Sequence, residues 1–243
     1  WTLSRGLGDV YKRQTPLFIA CQNGHVDATR LLLDKGAEVN RAPSKGWAEG
    51  WTPLYVACQK GHVDAARLLL DNDAEVERAR EDGATPLFAA CENGHVDAAR
   101  LLLEKGADVH KATNGNRTPL HAASLEGHID AVRLLLANGA AADIDRQDEE
   151  GDTPLADAEN EENEEIVALL EEHLDSKFPL HAAARTGDVG TMTQLLDGGA
   201  AVDQAKGDGV TPLFVACEHG HVDAARLLLC LLYTSPSPRD RVQ

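Results

Sequence analysis

Aromatic residues make up only 4% of this 243-residue chain, and there is a single methionine. So small a supply of large side chains argues against a β core and, with Ala and Leu abundant, for small helices in close contact. Basic residues are also short: 23 Lys and Arg stand against 40 Asp and Glu, a formal charge of −17. That balance argues against nucleic acid, whose phosphates need clustered cations, and against an anionic membrane surface. No apolar run approaches the roughly 20 residues that span a bilayer. The longest, Leu227–Leu232, is far shorter. There is no Walker loop, nucleophile elbow, dinucleotide fingerprint or Cys-x-x-Cys pair. No catalytic residue, metal ligand or cofactor is expected. The acidity fits a protein partner with a basic or amphipathic surface.

What the chain has instead is repetition. Thr-Pro-Leu recurs at Thr15, Thr52, Thr85, Thr118, Thr153 and Thr211, with Phe-Pro-Leu at Phe178, at intervals of 37, 33, 33, 35, 25 and 33 residues. Ten residues after the Thr stands His25, His62, His95, His128 or His221, and six further on a Leu triplet begins. Each element has a physical reading. Thr85 caps a helix, Pro86 takes the first helical position where no N–H is needed, and Gly94 supplies a left-handed C-cap. A second helix over about Val96–Leu103 carries Val96, Ala99, Leu102 and Leu103 on one apolar stripe. Helices this short are marginal alone and become stable when stacked units bury each other's faces. The expectation is an all-α solenoid.

The stretch "TPLFAACENGHVDAARLLLEKGADV" resembles the ankyrin repeat in its Thr-Pro-Leu opening, its Gly-His between helices and its Leu-Leu…Gly-Ala-Asp close. The resemblance runs from about Thr15 to Leu229. It implies about seven helix-turn-helix repeats with hairpin loops, used for protein recognition. Three departures stand out. "RAPSKGWAEGW" is an insertion in the first loop, and two extra residues fall near Ala141-Ala142. The fifth repeat keeps its second helix (Asn163–His173) but lacks the Gly-His and its hairpin, as a terminal cap would. The organisation expected is repeats 1–5 over 15–175 and repeats 6–7 over 176–229. One continuous, kinked stack is the alternative.

The ends follow another logic. One coding strand for Ser4–Gln14, "SRGLGDVYKRQ", has a reverse complement that reads as "CLLYTSPSPRD", the run at Cys230–Asp240. That strand resembles the transposase adaptor of sequencing libraries. Residues 1–14 and 230–243 are therefore expected to be non-native, adaptor-derived ends on a fragment of a longer, metagenomic array, with its last repeat truncated.

Repetition also decides the chemistry. Cys21, Cys58, Cys91 and Cys217 each fall six residues after their Thr and read as small packing residues. Adjacent helices lie about 8–10 Å apart, too far for a disulfide. A reducing, intracellular compartment is consistent with this, and localisation is otherwise unread. Sets such as Cys91, His95 and Asp97 recur in register, whereas a metal or catalytic site would break the period; these histidines are expected to donate to backbone carbonyls between repeats. Asp64–Arg67, Asp97–Arg100, Asp130–Arg133 and Asp223–Arg226 read as solvated i,i+3 pairs. From Asp143 to Asp175 there are 15 acidic residues against Arg146 alone. That block reads as a solvated cap, a dock for a basic partner or a divalent-cation loop.

Recognition is expected where the period breaks. The resemblance places on the concave face the residue before each Thr (Trp51, Ala84, Arg117, Asp152, Val210). It adds the pairs before the inter-helix glycine: Gln22/Asn23, Gln59/Lys60, Glu92/Asn93, Leu125/Glu126 and Glu218/His219. Hairpin tips contribute Arg41, Trp47, Arg78, Arg80, Lys111 and Asn114. Trp47 and Trp51, in or beside the inserted loop, are hot-spot candidates, against the alternative that one packs on a neighbouring hairpin. The function expected is a non-enzymatic scaffold or adaptor, monomeric, that holds another protein. The alternatives are the targeting arm of an enzyme, such as a kinase or ubiquitin-ligase component, and a tethering segment of a membrane protein.

Overall fold

The computed structural model describes residues 15–43 and 50–234. Among them are fourteen α-helices, one 3₁₀ turn and no strand. They run in pairs: α1 (Pro16–Gln22) with α2 (Val26–Asp34), α3 (Pro53–Gln59) with α4 (Val63–Leu70), α5 (Pro86–Glu92) with α6 (Val96–Glu104) and α7 (Pro119–Leu125) with α8 (Ile129–Ala137). The series continues with α9 (Pro154–Asn160) and α10 (Glu164–Lys177), α11 (Pro179–Thr186) and α12 (Val189–Asp197), then α13 (Pro212–Glu218) and α14 (Val222–Thr234). The first helix of each pair opens on its Thr. Six threonine hydroxyls, at Thr15, Thr52, Thr85, Thr118, Thr153 and Thr211, accept the N–H of the third residue beyond at 3.1–3.4 Å. Such a cap contributes about 1 kcal/mol. Phe178, the exception, makes no side-chain cap.

Pairs stack in two rows. First helices lie against first helices from α1 to α9, and second helices against second helices from α2 to α10. One apolar core threads that stack from Leu17 to Phe178, filled by Leu54, Leu69, Leu87, Leu102, Leu120, Leu135 and Leu170. A separate cluster, Leu180 to Leu228, holds the last two pairs together. Between them the chain passes from α10 directly into α11, with no hairpin. Lys177 braces this join: its ammonium donates to Ala142 O at 3.1 Å and to Asp145 at 2.5 Å, while the Gly207 N–H reaches the same carboxylate at 3.2 Å. The two extra residues near Ala141-Ala142 form the 3₁₀ turn, Ala140–Asp143.

The Gly-His pairs are the joints of the stack. Gly94, at φ +69°, sits so close beneath the next pair that an added Cβ would meet the His128 ring at 2.7 Å. That ring's Nε2 faces Glu92 O at 3.2 Å. The same joint recurs with His62 on Gln22 O at 3.2 Å and His221 on Arg185 O at 2.9 Å. In the fifth pair Asn163 takes the histidine's place, its amide donating to Ser124 O at 3.4 Å, and Glu162 adopts the positive φ, 56°, that glycine holds elsewhere. His62, His95, His128 and His221 thus bond backbone carbonyls between pairs as expected, whereas the ring of His25 makes no such bond among those of the described residues.

Two expectations need correction. Cys21, Cys58 and Cys91 are buried, but Cys217 is exposed, because no further pair lies over α13 among the described residues. Of the expected i,i+3 pairs, Asp223–Arg226 closes at 3.3 Å, whereas Arg133 reaches across to Glu165 of the next pair at 3.0 Å.

Candidate recognition surface

The loops and the first-helix row bring two groups of period-breaking side chains together. The first forms around Trp51. Its ring lies 5.1 Å from that of Tyr55 at a 58° tilt. The Arg80 guanidinium covers both rings, 5.4 Å from the tryptophan and 5.7 Å from the tyrosine. Cation–π geometry of this kind holds a guanidinium flat against its support. Asp82 fixes Arg80 from the other side, accepting from its Nε at 2.8 Å and pairing with its Nη2. This pairing raises the Arg80 pKa and lowers that of Asp82. Beneath lies a small apolar cluster apart from the main core: Tyr55, Ala84, Phe88, Ala89 and Ala122. Burial pushes Tyr55 up to about 12, and its hydroxyl has no hydrogen-bond partner. Glu92, half-buried, is also raised, first by desolvation and partly offset by Arg80.

The second group centres on Arg117, which reaches from the loop before α7 to two buried carboxylates. Its Nη2 lies 3.4 Å from Asp157 Oδ1 and its Nε 3.6 Å from Asp148 Oδ2. The Nε distance is too long for a hydrogen bond, so the pairing is electrostatic. Asp157 is 4% exposed and its Oδ2 has no partner. Desolvation drives its pKa up to about 6, opposed by Arg117 and reinforced by Asp148 and Asp152. Asp148, Glu150 and Asp152 bring carboxylate oxygens within 4.8 Å of one another, the set that could hold a cation. Asp148 Oδ1, however, already accepts the N–H groups of Glu150 and Asp152 at 2.9 and 3.0 Å, and its Oδ2 faces Arg117. That carboxylate is committed to shaping the loop.

The remaining candidates scatter around these groups. Lys60 and Glu126 are exposed at first-helix ends, and Gln59 and Leu125 half-buried. Asn93 is exposed, but its amide donates to Ala89 O at 2.8 Å and closes its own helix. Arg78 pairs with Glu75 at 3.3 Å, and Lys111 is an exposed tip residue. Asn114 is a strut: its N–H and side-chain amide donate to Asp82 O and Glu81 O of the preceding loop, at 2.8 and 2.9 Å. Trp47 lies outside the described residues. Sequence reasoning passed over Tyr55 and Asp82, and met Asp148 and Asp157 only as members of the acidic block from Asp143 to Asp175. Asp157 carried a signal, since the fourth residue after every other cap is Ala, Val or Ile.

Comparison with known families agrees with this geometry. A family model described as Ankyrin repeats (3 copies) matches residues 4–80, 41–113, 75–148, 110–178 and 171–240. The chain belongs to the ankyrin-repeat family. Domains of this family generally act as protein–protein interaction modules, and typically as non-catalytic ones. Among the described residues, no helix is long and apolar enough to cross a membrane.

Proposed function

We propose that this chain is a scaffold or adaptor that grips a protein partner along its first-helix row, the concave face of the family. The observation that carries this reading is the Trp51–Tyr55–Arg80 stack. It is the one place among the described residues where aromatic rings and a clamped guanidinium meet on a half-exposed surface. Tryptophan and arginine are the side chains that most often anchor interfaces, and here both are held rigid before a partner arrives. Exposed Lys60 and Glu126 and half-buried Glu92 and Arg117 surround the anchor and supply polar complementarity. A basic partner segment suits the unpaired acidity of Glu126 and of the block that follows. Repeats 1–5 and 6–7 act as two stacks in this reading, each with its own core.

Arg80→Ala together with Glu126→Ala tests it, because neither side chain contributes to the main core. Partners captured by the wild-type chain bind the double variant at least about tenfold more weakly, which corresponds to about 1.4 kcal/mol. Equal affinity for both proteins would remove this surface from consideration.

A further inference from the structure

One step of the stack lacks its joint, and it lies inside the chain. At the other steps an inter-helix glycine sits under the ring or amide of the next pair, where an added Cβ would meet it at 2.6–2.9 Å: Gly24 under His62, Gly61 under His95, Gly94 under His128, Gly127 under Asn163 and Gly187 under His221. Between the fifth and sixth pairs these two places are taken by Glu162 and Asp188. Asp188 turns to its own helix, accepting the Thr191 N–H at 3.0 Å and the Thr191 hydroxyl at 2.7 Å. Both rows break at the same step. α11 does not share with α9, nor α12 with α10, the packed contact that neighbouring helices of a row make elsewhere. The apolar core divides there into two.

The chain crosses this break at Lys177-Phe178, and the first turn of α11 is the least secured of its row. Phe178 stands where the other first helices have a capping threonine. In α7, His121 Nδ1 accepts the Thr118 N–H at 3.2 Å; at the matching place, the buried Nδ1 of His181 has no partner among the described residues. Two polar straps span the gap that the missing hairpin leaves. Asp145, in the loop of the fourth pair and pinned by Lys177 at 2.5 Å, accepts the Gly207 N–H of the sixth-pair loop at 3.2 Å. Arg185 of α11 pairs with Asp175 of α10. Gly207 lies so close to the opposing loop that an added Cβ would fall 1.9 Å from Asp145 O.

We propose that the α10–α11 join is a hinge, latched by the Asp145–Gly207 and Asp175–Arg185 straps, which sets how far repeats 6–7 stand from the recognition row of repeats 1–5. The inference rests on the two-stack reading above and adds to it a motion and its fastening. Units with separate cores and little apolar contact between them turn against each other unless something holds them. Here the holding contacts are polar. Lys177 and Arg185, the cations of the two straps, are 34% and 36% exposed, so dissolved ions reach and weaken both. Salt therefore opens the latch while each stack keeps its own core.

Spin labels on two exposed hairpin residues, Lys111→Cys and Gln204→Cys, read the distance across the hinge in the full chain carrying Cys217→Ser and Cys230→Ser. A second pair, Lys60→Cys and Lys111→Cys, reads the first stack alone. Gly207→Ala is a wedge, since its methyl group needs at least about 1.5 Å more room at the strap to reach ordinary contact. Asp145→Ala with Arg185→Ala removes both straps. At low salt the unmutated join gives one narrow distance across the hinge. The wedge, the strapless variant and the unmutated join at about 1 M salt, where charges are screened within about 3 Å, each give a longer and broader one. The distance within the first stack stays narrow throughout, and helicity by circular dichroism is unchanged. An unaltered hinge distance in both the wedge and the strapless variant overturns the hinge and leaves the two-stack reading standing. A broad distance across the unmutated join at low salt overturns the latch. Broadening within the first stack as well overturns the proposal and counts against the stacks as units.

Discussion

Asp157 gives the sharpest test of how this stack balances its charges. The carboxyl is buried at the base of α9, one oxygen near Arg117 and the other without a donor, and its pKa rises from the ordinary 3.8 to about 6. A shift of that size corresponds to about 3 kcal/mol, at 1.36 kcal/mol per unit. The sign is the reverse of a carboxylate stabilised by its ion pair. Between pH 3.8 and 6 the folded chain holds a proton that the unfolded chain has released, so this contribution to stability falls as pH rises. Above pH 6 the full cost is present. Asp157→Asn keeps the shape and abolishes the charge. Urea denaturation at pH 5.0, 6.0, 7.0 and 8.0 should therefore show the variant gaining on the wild type from pH 5.0 to about 7 and then holding its lead. At pH 8 it should be more stable by up to about 3 kcal/mol, or several degrees in Tm. A variant less stable than the wild type at pH 8 would refute the reasoning, since Arg117 would then more than repay the burial. A difference that stays flat with pH would refute it as well.

Other perturbations follow from the joints and the buried thiols. His128→Ala removes the bridge to Glu92 O and should cost about 1–2 kcal/mol in urea denaturation. His25→Ala should cost nothing detectable, because that ring makes no hydrogen bond among those of the described residues. Burial pushes the Cys21 thiol up to about 11 and raises Cys58 and Cys91 further. In native protein at pH 8, a thiol-specific reagent should modify exposed Cys217 rapidly and these three only on unfolding. Rapid modification of Cys91 in the folded state would contradict the packing described for α5.

The stack was readable because its signals are local and repeated. Thr85, Pro86, Gly94 and the Leu triplet each declare a cap, a helix start, a stop or an apolar stripe within a few residues, and their recurrence fixes which faces meet. Asn163 and Glu162 show the limit of such reading. They perform the joint's two tasks in the fifth pair with different residues, which only the fold reveals. The side-chain groups of the proposed recognition surface were legible in part. Trp51 and Arg117 broke the period, and the structure sets Trp51 against Tyr55 and Arg80, and Arg117 against Asp148 and Asp157. Asn114 broke it too, but the structure uses it to tie neighbouring loops. Tyr55 was hidden because it takes a core position, as Phe18 does, and its role depends on Arg80 folding back from 25 residues away.

Hydrogen exchange on the chain with and without a captured partner tests the central claim most directly. The account predicts new protection at residues 51–60, 78–93 and 117–126, the first-helix row and its loops, with the outer helices α4, α6 and α8 unchanged. Protection confined to those outer helices would contradict it.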